Sequence, residues 1–302
     1  MQKRLKQTIR KLAGAERIRQ DMDELKMLSG AILAKELKQR KSVRTLSETE
    51  FKVFSQWGDD GIIQYLVQHL DIANRTFIEF GVADYWESNS RFLLMNDNWS
   101  GLIFDGSAEN ISAIKNSYYY WRYDLSAKAC FVDRDNINGL MTESGFGSDV
   151  GLLHIDIDGN DYWIWKAIDV IDPLIVIVEY NSVFGPDRKI TIPYQADFQR
   201  SVAHYSHLYF GTSLGALLHL AEEKNYRFVG CNGAGNNAYF VRADVLDHEL
   251  SAIAARAGFQ ASKYRESRDA NGELDYQRGA ERLAVIEGLP VYNVETDQIE
   301  TL

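Results

Sequence analysis

Between residues 76 and 180 the chain alternates short apolar runs with stretches whose apolar residues recur every three to four positions. Apolar runs of this length, bounded by turn residues, read as strands buried on both faces of a parallel sheet. The pattern predicts strands at 76–81, 101–105, 118–123, 151–157 and 174–180, with helices near 88–95, 108–117 and 162–168. Ser213–Lys224 is amphipathic, with Leu214, Leu217, Leu218 and Ala221 on one face. Tyr226–Gly230 and Asn237–Val241 then flank a Cys-Asn-Gly-Ala-Gly-Asn turn and read as a hairpin. Alternation of this kind predicts an α/β, doubly wound, mostly parallel sheet. A hairpin connection joins only antiparallel neighbours, so the last strand is expected to run against the others.

The first 50 residues differ in character. Leu5, Ile9, Leu12, Ile18, Met22, Leu25, Leu28 and Ile32 follow helical spacing in a chain rich in Lys and Arg. Residues 1–50 are therefore expected to form a basic helical arm whose stripe packs on its own body or on a second copy, which predicts a homo-oligomer. A peripheral membrane contact is the alternative for such a basic face. Residues 51–245 form the expected main domain, and 246–302 a tail that packs on it or caps it. Its apolar patch Gly288–Tyr292 is expected to dock on the body.

Charge divides the same way. Residues 1–50 carry 13 Lys/Arg and 7 Asp/Glu, a net of +6, so the remainder of a chain with net charge −10 carries −16. An acidic body repels phosphate backbones and excludes nucleic acid as the main partner. Two distant cysteines, Cys130 and Cys231, give no disulfide framework, and no apolar run approaches a spanning length of roughly 18 residues. A cytoplasmic location is expected.

Candidate chemistry gathers at the ends of the predicted strands. Glu79-Phe80-Gly81 and Phe104-Asp105-Gly106 each end an apolar run in an acid beside a glycine. Ligands of open α/β sheets bind at the strands' carboxyl ends, where an acid can accept hydrogen bonds from a ribose or an amine and a glycine lets backbone approach closely. Asp124 ends the predicted third strand and is expected at an adenine edge. Tyr85 and Trp86 are expected to wall the same pocket. The densest cluster is His154-Ile155-Asp156-Ile157-Asp158-Gly159-Asn160-Asp161, with His154 expected to be structural. Its spacing fails as a calcium loop, since glycine falls fourth and Ala167 stands at the twelfth place. Asp156 or Asp158, joined by Glu179, could hold a divalent cation such as Mg2+, which would acidify a substrate hydroxyl. Without a metal, Asp158 or a nearby histidine such as His207 would act as base. The Asp-x-Asp-Gly run also resembles the nucleophile motif of haloacid-dehalogenase phosphatases, with Asp156 as nucleophile, although that motif normally opens its fold.

Taken together, the segments resemble FkbM-like methyltransferases. Ser55-Gln56-Trp57-Gly58-Asp59-Asp60-Gly61-Ile62, Glu79-Phe80-Gly81 with Glu87-Ser88-Asn89, Ile155–Asp161, Ser213-Leu214, and the hairpin Val229-Gly230 with Asn237–Val241 match that family's segments in order, over about residues 51–242. The resemblance implies a Rossmann-like class I methyltransferase sheet and an S-adenosylmethionine-dependent O-methyltransferase. It implies hydroxyls of sugars, surface glycans or natural products as acceptors, and a place in polysaccharide biosynthesis. Gln56, Glu79, Gly81, Asn89, Asp105, Gly106 and Asp124 become the expected cofactor residues, and Asp156, Asp158 and His207 the catalytic ones. A scaffold that binds the cofactor without transferring methyl is the non-enzymatic alternative. The stretch Val82-Ala83-Asp84-Tyr85-Trp86 departs from the glycine-richer cofactor loop of many members.

Overall fold

A computed structural model describes residues 2–40 and 42–302, with side chains from residue 16 onward. Helix α1 (Gln2–Lys38) leads into α2 (Asp59–His69), followed by β1 (Thr76–Phe80), α3 (Arg91–Asp97), β2 (Ser100–Asp105), α4 (Ala108–Lys115) and β3 (Leu125–Ala129). The chain continues through α5 (Ile137–Thr142), β4 (Leu152–Ile155), α6 (Asp161–Ala167), β5 (Ile175–Glu179), β6 (Ile190–Thr191), α7 (Arg200–Ala203), α8 (Leu214–Glu223), β7 (Tyr226–Cys231) and β8 (Asn237–Arg242). Helices α9 (His248–Ala254) and α10 (Ala280–Val285) and strands β9 (Pro290–Asn293) and β10 (Gln298–Thr301) complete it.

Seven strands form one sheet in the order β3-β2-β1-β4-β5-β8-β7. Strands β1 to β5 pair in parallel, while β8 runs antiparallel to β5 and to β7. This is the Rossmann-like class I methyltransferase sheet that the alternation and the closing hairpin predict. Its central strands are buried along their whole length because each face carries its own core. Phe77, Leu152, Ile175, Ile177 and Tyr239 pack under α2, whereas Ile78, Phe80, Leu153, Val176 and Phe240 pack under α6 and α8. Each such side chain taken out of water contributes about 1.5–3 kcal/mol, so a sheet with two covered faces needs the continuous apolar runs seen here.

Two expectations are corrected. Tyr118–Tyr123 is a turn and no strand; β3 starts at Leu125. The tyrosines are spent on packing, since Tyr118 and Tyr119 meet edge to face and Arg91 lies 4.5 Å from the Tyr119 ring. The apolar stripe of the arm does not pack on the body, the first of its two expected places. Ile18, Met22, Leu25, Leu28 and Ile32 are exposed, and α1 docks through another face bearing Asp23, Gly30, Ala34 and Leu37. Leu5, Ile9 and Leu12 lie outside the described side chains. Asp23 and Arg91 form a buried ion pair at 2.5 Å, with the Tyr118 hydroxyl donating to the same carboxylate at 2.8 Å. The apolar patch near residue 290 is strand β9, which joins β10 and β6 in a second small sheet and buries Val291 against Phe184, Ile190 and Leu208.

Among the described residues, no helix is long and apolar enough to cross a membrane.

Candidate active site

The register of the sheet lays out the site as two rows across its carboxyl edge. Glu79 pairs with His154, so these side chains stand side by side on the face under α2. The Glu79 carboxylate is saturated by protein donors. Oε1 accepts from the backbone N–H of Asn89 and from His154 Nδ1, both at 3.0 Å. Oε2 accepts from the Ser88 hydroxyl at 2.7 Å, the Ser90 N–H at 3.2 Å and the Ser90 hydroxyl. An ionised carboxylate offers about four lone-pair positions, so none is left for a ligand. Burial pushes this acid up, but His154 and the serine hydroxyls outweigh it and hold Glu79 below the usual range. Burial pulls His154 down, and the bond to Glu79 more than offsets it, leaving the imidazole raised. Glu79 is therefore a brace for the 88–90 loop, which corrects its expected role as a direct cofactor ligand. His154 is structural, as expected, and its Nε2 lies 3.1 Å from the Asn89 amide.

Two residues further along each strand is an outer row: Gly81, Asp156, Glu179 and Asn237. Gly81 sits at φ +73, and a Cβ there would lie 1.6 Å from the Asp156 carbonyl oxygen, so only glycine fits. Burial pushes Asp156 up to about 7, its neighbours Asp158 and Asp161 adding to the rise and His154 opposing it. Glu179 is driven well above the carboxylate range, first by burial and then by Asp156. Its Oε2 has no hydrogen-bond partner, and neither has Oδ1 of Asn237.

The run after β4 is shaped by Asp161, whose carboxylate accepts from the backbone N–H groups of Ile157 and Gly159, each at 2.9 Å. This folds Asp158 into a left-handed conformation, φ 56, and turns it outward to Arg200 at 2.9 Å. Asp158 is thus neutralised at the rim, and Asp156 is the acid that remains available. The expected metal set of Asp156, Asp158 and Glu179 is corrected: among the described residues no three His, Cys, Asp or Glu side chains group to hold a metal. The Arg200 guanidinium takes the place beside Asp158 that a cation would need. The magnesium phosphatase alternative loses its metal site by the same geometry.

Two chambers meet at the outer row. The first, a cavity of 260 Å3, has apolar walls at Phe104, Cys130, Phe131, Val132 and Phe198, with Asp105 and Gly106 at its edge. Asp105 accepts from the N–H of Ala83 at 2.8 Å, from that of Ser107 at 2.8 Å and from the Asn110 amide at 2.9 Å. That leaves one lone-pair position facing the cavity. The second chamber, 430 Å3, is polar; Gln56, Asn89, Asp156, Glu179, Asn237 and Arg200 are among its lining residues. Gly81, Ala83, Asp156 and Asp158 border both.

The first motif shapes the mouth of the second chamber. Asp60 Oδ2 accepts from the N–H groups of Val53, Phe54 and Ser55 at 2.7 to 2.9 Å and from the Ser55 hydroxyl at 2.7 Å. The loop so fixed presents Gln56 and Trp57 to the cavity. Trp57 stacks on Tyr264 of the C-terminal segment, centroids 5.8 Å apart and planes 13° from parallel.

Other expected residues lie elsewhere. Asp124 precedes β3 and its carbonyl accepts from the Gly101 N–H, so it is at the opposite end of the sheet from both chambers. The misplaced strand carried it there; Cys130 and Phe131 occupy the end assigned to it. His207 lies in a neighbouring groove with Arg200 and Glu266, apart from the chamber of Asp156. Tyr85 is buried against the core with its hydroxyl 2.9 Å from that of Ser90, and Trp86 lies under Arg19, Lys26 and Arg91, so neither walls a chamber. Arg200, Tyr264 and Phe131 carried no signal in the sequence. Asn237 did, as the first residue of the closing strand opposite Glu179.

No protein-family model matches the chain, and no curated protein matches it. Solved structures similar to it include the N-terminal domain of EvdMO1 with SAH bound, 10% identical with a TM-score of 0.41 over 70% of this chain and 93% of that one. An S-adenosylmethionine-dependent methyltransferase from Clostridium acetobutylicum is 11% identical with a TM-score of 0.39 over 61% and 89%. The O-methyltransferase from Bacillus cereus, in complex with SAH, is 8% identical with a TM-score of 0.37 over 71% and 88%. The last two are described as methyltransferases; for this chain, the class I methyltransferase fold itself stands on strand order, direction and register.

Proposed function

We propose that the chain is an S-adenosylmethionine-dependent O-methyltransferase of the FkbM-like kind, acting on a hydroxyl of a sugar or related polyhydroxylated acceptor. The observation that carries this reading is the junction. An apolar slot with one free carboxylate position on Asp105 opens, past Gly81, onto a polar chamber in which Asp156 stands unpaired.

Phe131 and Val132 give the slot the apolar walls that an adenine plane needs, and the free position of Asp105 suits a ribose hydroxyl. Gln56 and Asn89 lie at the far side of Gly81, where the amino-acid end would reach. Bound in this way, the cofactor supplies a methyl group on a positively charged sulfur. Asp156 then stands where a hydroxyl entering from the polar chamber must approach. It would accept the hydroxyl proton as the oxygen takes the methyl group that the cofactor would supply, the sulfur keeping the electron pair of the broken bond. An acid poised near neutrality is suited to that exchange. The Trp57 and Tyr264 rings and the amides around the chamber match the mixed apolar and hydrogen-bonding faces of a sugar.

Isothermal titration of the full chain with S-adenosylmethionine tests the reading. Micromolar binding is expected, weakened about tenfold in Asp105→Ala by loss of a charge-assisted hydrogen bond. Absence of heat at millimolar cofactor would refute it, and binding without transfer to any of a panel of glycan hydroxyls would favour the scaffold alternative.

A further inference from the structure

Resting on the methyl-transfer reading, one feature of the polar chamber goes further toward its acceptor. Glu179 and Asn237 are directly paired across β5 and β8, so their side chains stand side by side on one face. Glu179 is 7% exposed and Asn237 3%, both line the chamber, and Glu179 Oε2 and Asn237 Oδ1 each lack a hydrogen-bond partner. The orientation of the Asn237 amide is fixed from behind, because its Nδ2 donates to Asp59 Oδ1 at 2.9 Å and a carboxylate can only accept. Its oxygen is therefore the atom left over as an acceptor.

The chain's own cations make no hydrogen bond at this position, although the Arg200 charge favours ionised Glu179. Arg200 donates from Nη1 to Asp158 and from Nε to the His207 carbonyl, both at 2.9 Å, and lies 3.9 Å from the Phe210 ring. Lys52 is held by Glu87 at 3.1 Å. Two buried oxygens, one of them on an acid that burial keeps protonated until a cation arrives, thus stand side by side across β5 and β8 with no hydrogen bond from any other residue. A buried acceptor left unpaired costs about 1–3 kcal/mol, which a folded chain tolerates most readily where a ligand supplies the donor. One hydroxyl has one hydrogen to give, whereas an ammonium group has three and carries the compensating charge.

We propose that the acceptor carries a primary ammonium group beside its reacting hydroxyl, the ammonium between Glu179 and Asn237 and the hydroxyl against Asp156, as in an amino sugar. Asp156 follows His154 by two residues on the strand next to β5, so it is one strand spacing, about 4.8 Å, from Glu179, and the ammonium site lies about half a spacing further on. A single sugar ring, with substituents on several of its carbons, spans that interval. The cofactor's own ammonium belongs elsewhere: Gln56 and Asn89 lie toward β1, two strand spacings or about 10 Å from Glu179.

Titrations of the full chain with D-glucosamine, D-glucose and N-acetylglucosamine, with and without saturating S-adenosylhomocysteine, test this. Glucosamine should bind at least about tenfold more tightly than the two neutral sugars, the size of a charge-assisted hydrogen bond. Glu179→Gln, which keeps shape and removes charge, should abolish that preference while S-adenosylhomocysteine affinity stays unchanged, and Glu179→Asp should retain part of it. Equal binding of the three sugars, or no binding of any, would overturn the proposal. So would a Glu179→Gln loss of affinity for S-adenosylhomocysteine, which would assign the position to the cofactor. Failure of S-adenosylhomocysteine to bind would refute the methyl-transfer reading alone, because the sugar preference is also read without it.

Discussion

The two polar rows at the edge of the sheet lie two residues apart on the same strands and follow opposite rules. The inner row, Glu79 with His154, is closed: five donors converge on one carboxylate, and the ionised pair is matched within the fold. The outer row, Asp156 with Glu179 and Asn237, is open, with acids raised by burial and two acceptor atoms lacking partners. The difference teaches which residues to read as frame and which as function. A buried carboxylate whose donors all come from the chain is holding a loop; one that the chain leaves unsatisfied awaits something else.

The sharpest break in this comparison is Asp156→Asn. Loss of the proton acceptor should lower kcat by about 10²–10⁴-fold while cofactor affinity, read by titration, is retained; equal loss of both would make Asp156 a binding residue. Glu79→Ala should act in the reverse sense. It strips a buried imidazole and two serines of their acceptor, and should cost about 3–5 kcal/mol in denaturant unfolding. A smaller cost, well under 1 kcal/mol, would show that the inner row is not a frame.

Acidity sharpens the contrast. Asp156 and Glu179 have folded values above their unfolded ones, near 3.9 and 4.3. Between those limits the native chain holds more protons than the unfolded one, so stability falls as pH rises. The stabilisation is complete below about pH 4 and lost as pH rises through about 7 for Asp156. His154, also raised, adds to the decline above its unfolded value of about 6.5. Glu79 is lowered, and its contribution is lost only in acid, below about 4.3. Turnover needs ionised Asp156 and should rise through about pH 7 while thermal stability declines over the same interval. Parallel profiles would contradict the assignment. The smallest effect is expected for Glu179→Gln, which at pH 8 should raise stability by about 1 kcal/mol by removing a buried acid without a partner.

Much of the frame was legible in the sequence, for a physical reason. Strands covered on both faces cannot afford polar positions, so β1, β2, β4 and β5 stand out as apolar runs, and a short loop between β7 and β8 fixes their antiparallel sense. The third strand was misread because Tyr118–Tyr123 has the composition of a strand while serving as a packing turn, and β3 itself, Leu-Ser-Ala-Lys-Ala, is only partly buried. That single displacement put Asp124 at the wrong end of the sheet. At the site, strand-end glycines and acids were visible because close approach and charge leave a residue-type signature. What they bond to was not, since the donors around Glu79 come from residues nine to seventy-five positions away. Tyr264 was invisible because its place depends on how a distant segment folds back against Trp57.

Arg91 opens α3, immediately after the serines that grip Glu79, and its guanidinium is held by Asp23 of α1. The long first helix is thereby a strut for the 88–90 loop, bolted at a point one residue from it. A chain trimmed to begin after residue 50 would strand a buried guanidinium at the head of α3, and the slackness would travel into the loop that shapes the pocket. The arm and the sheet body, separable by composition, are mechanically a single part.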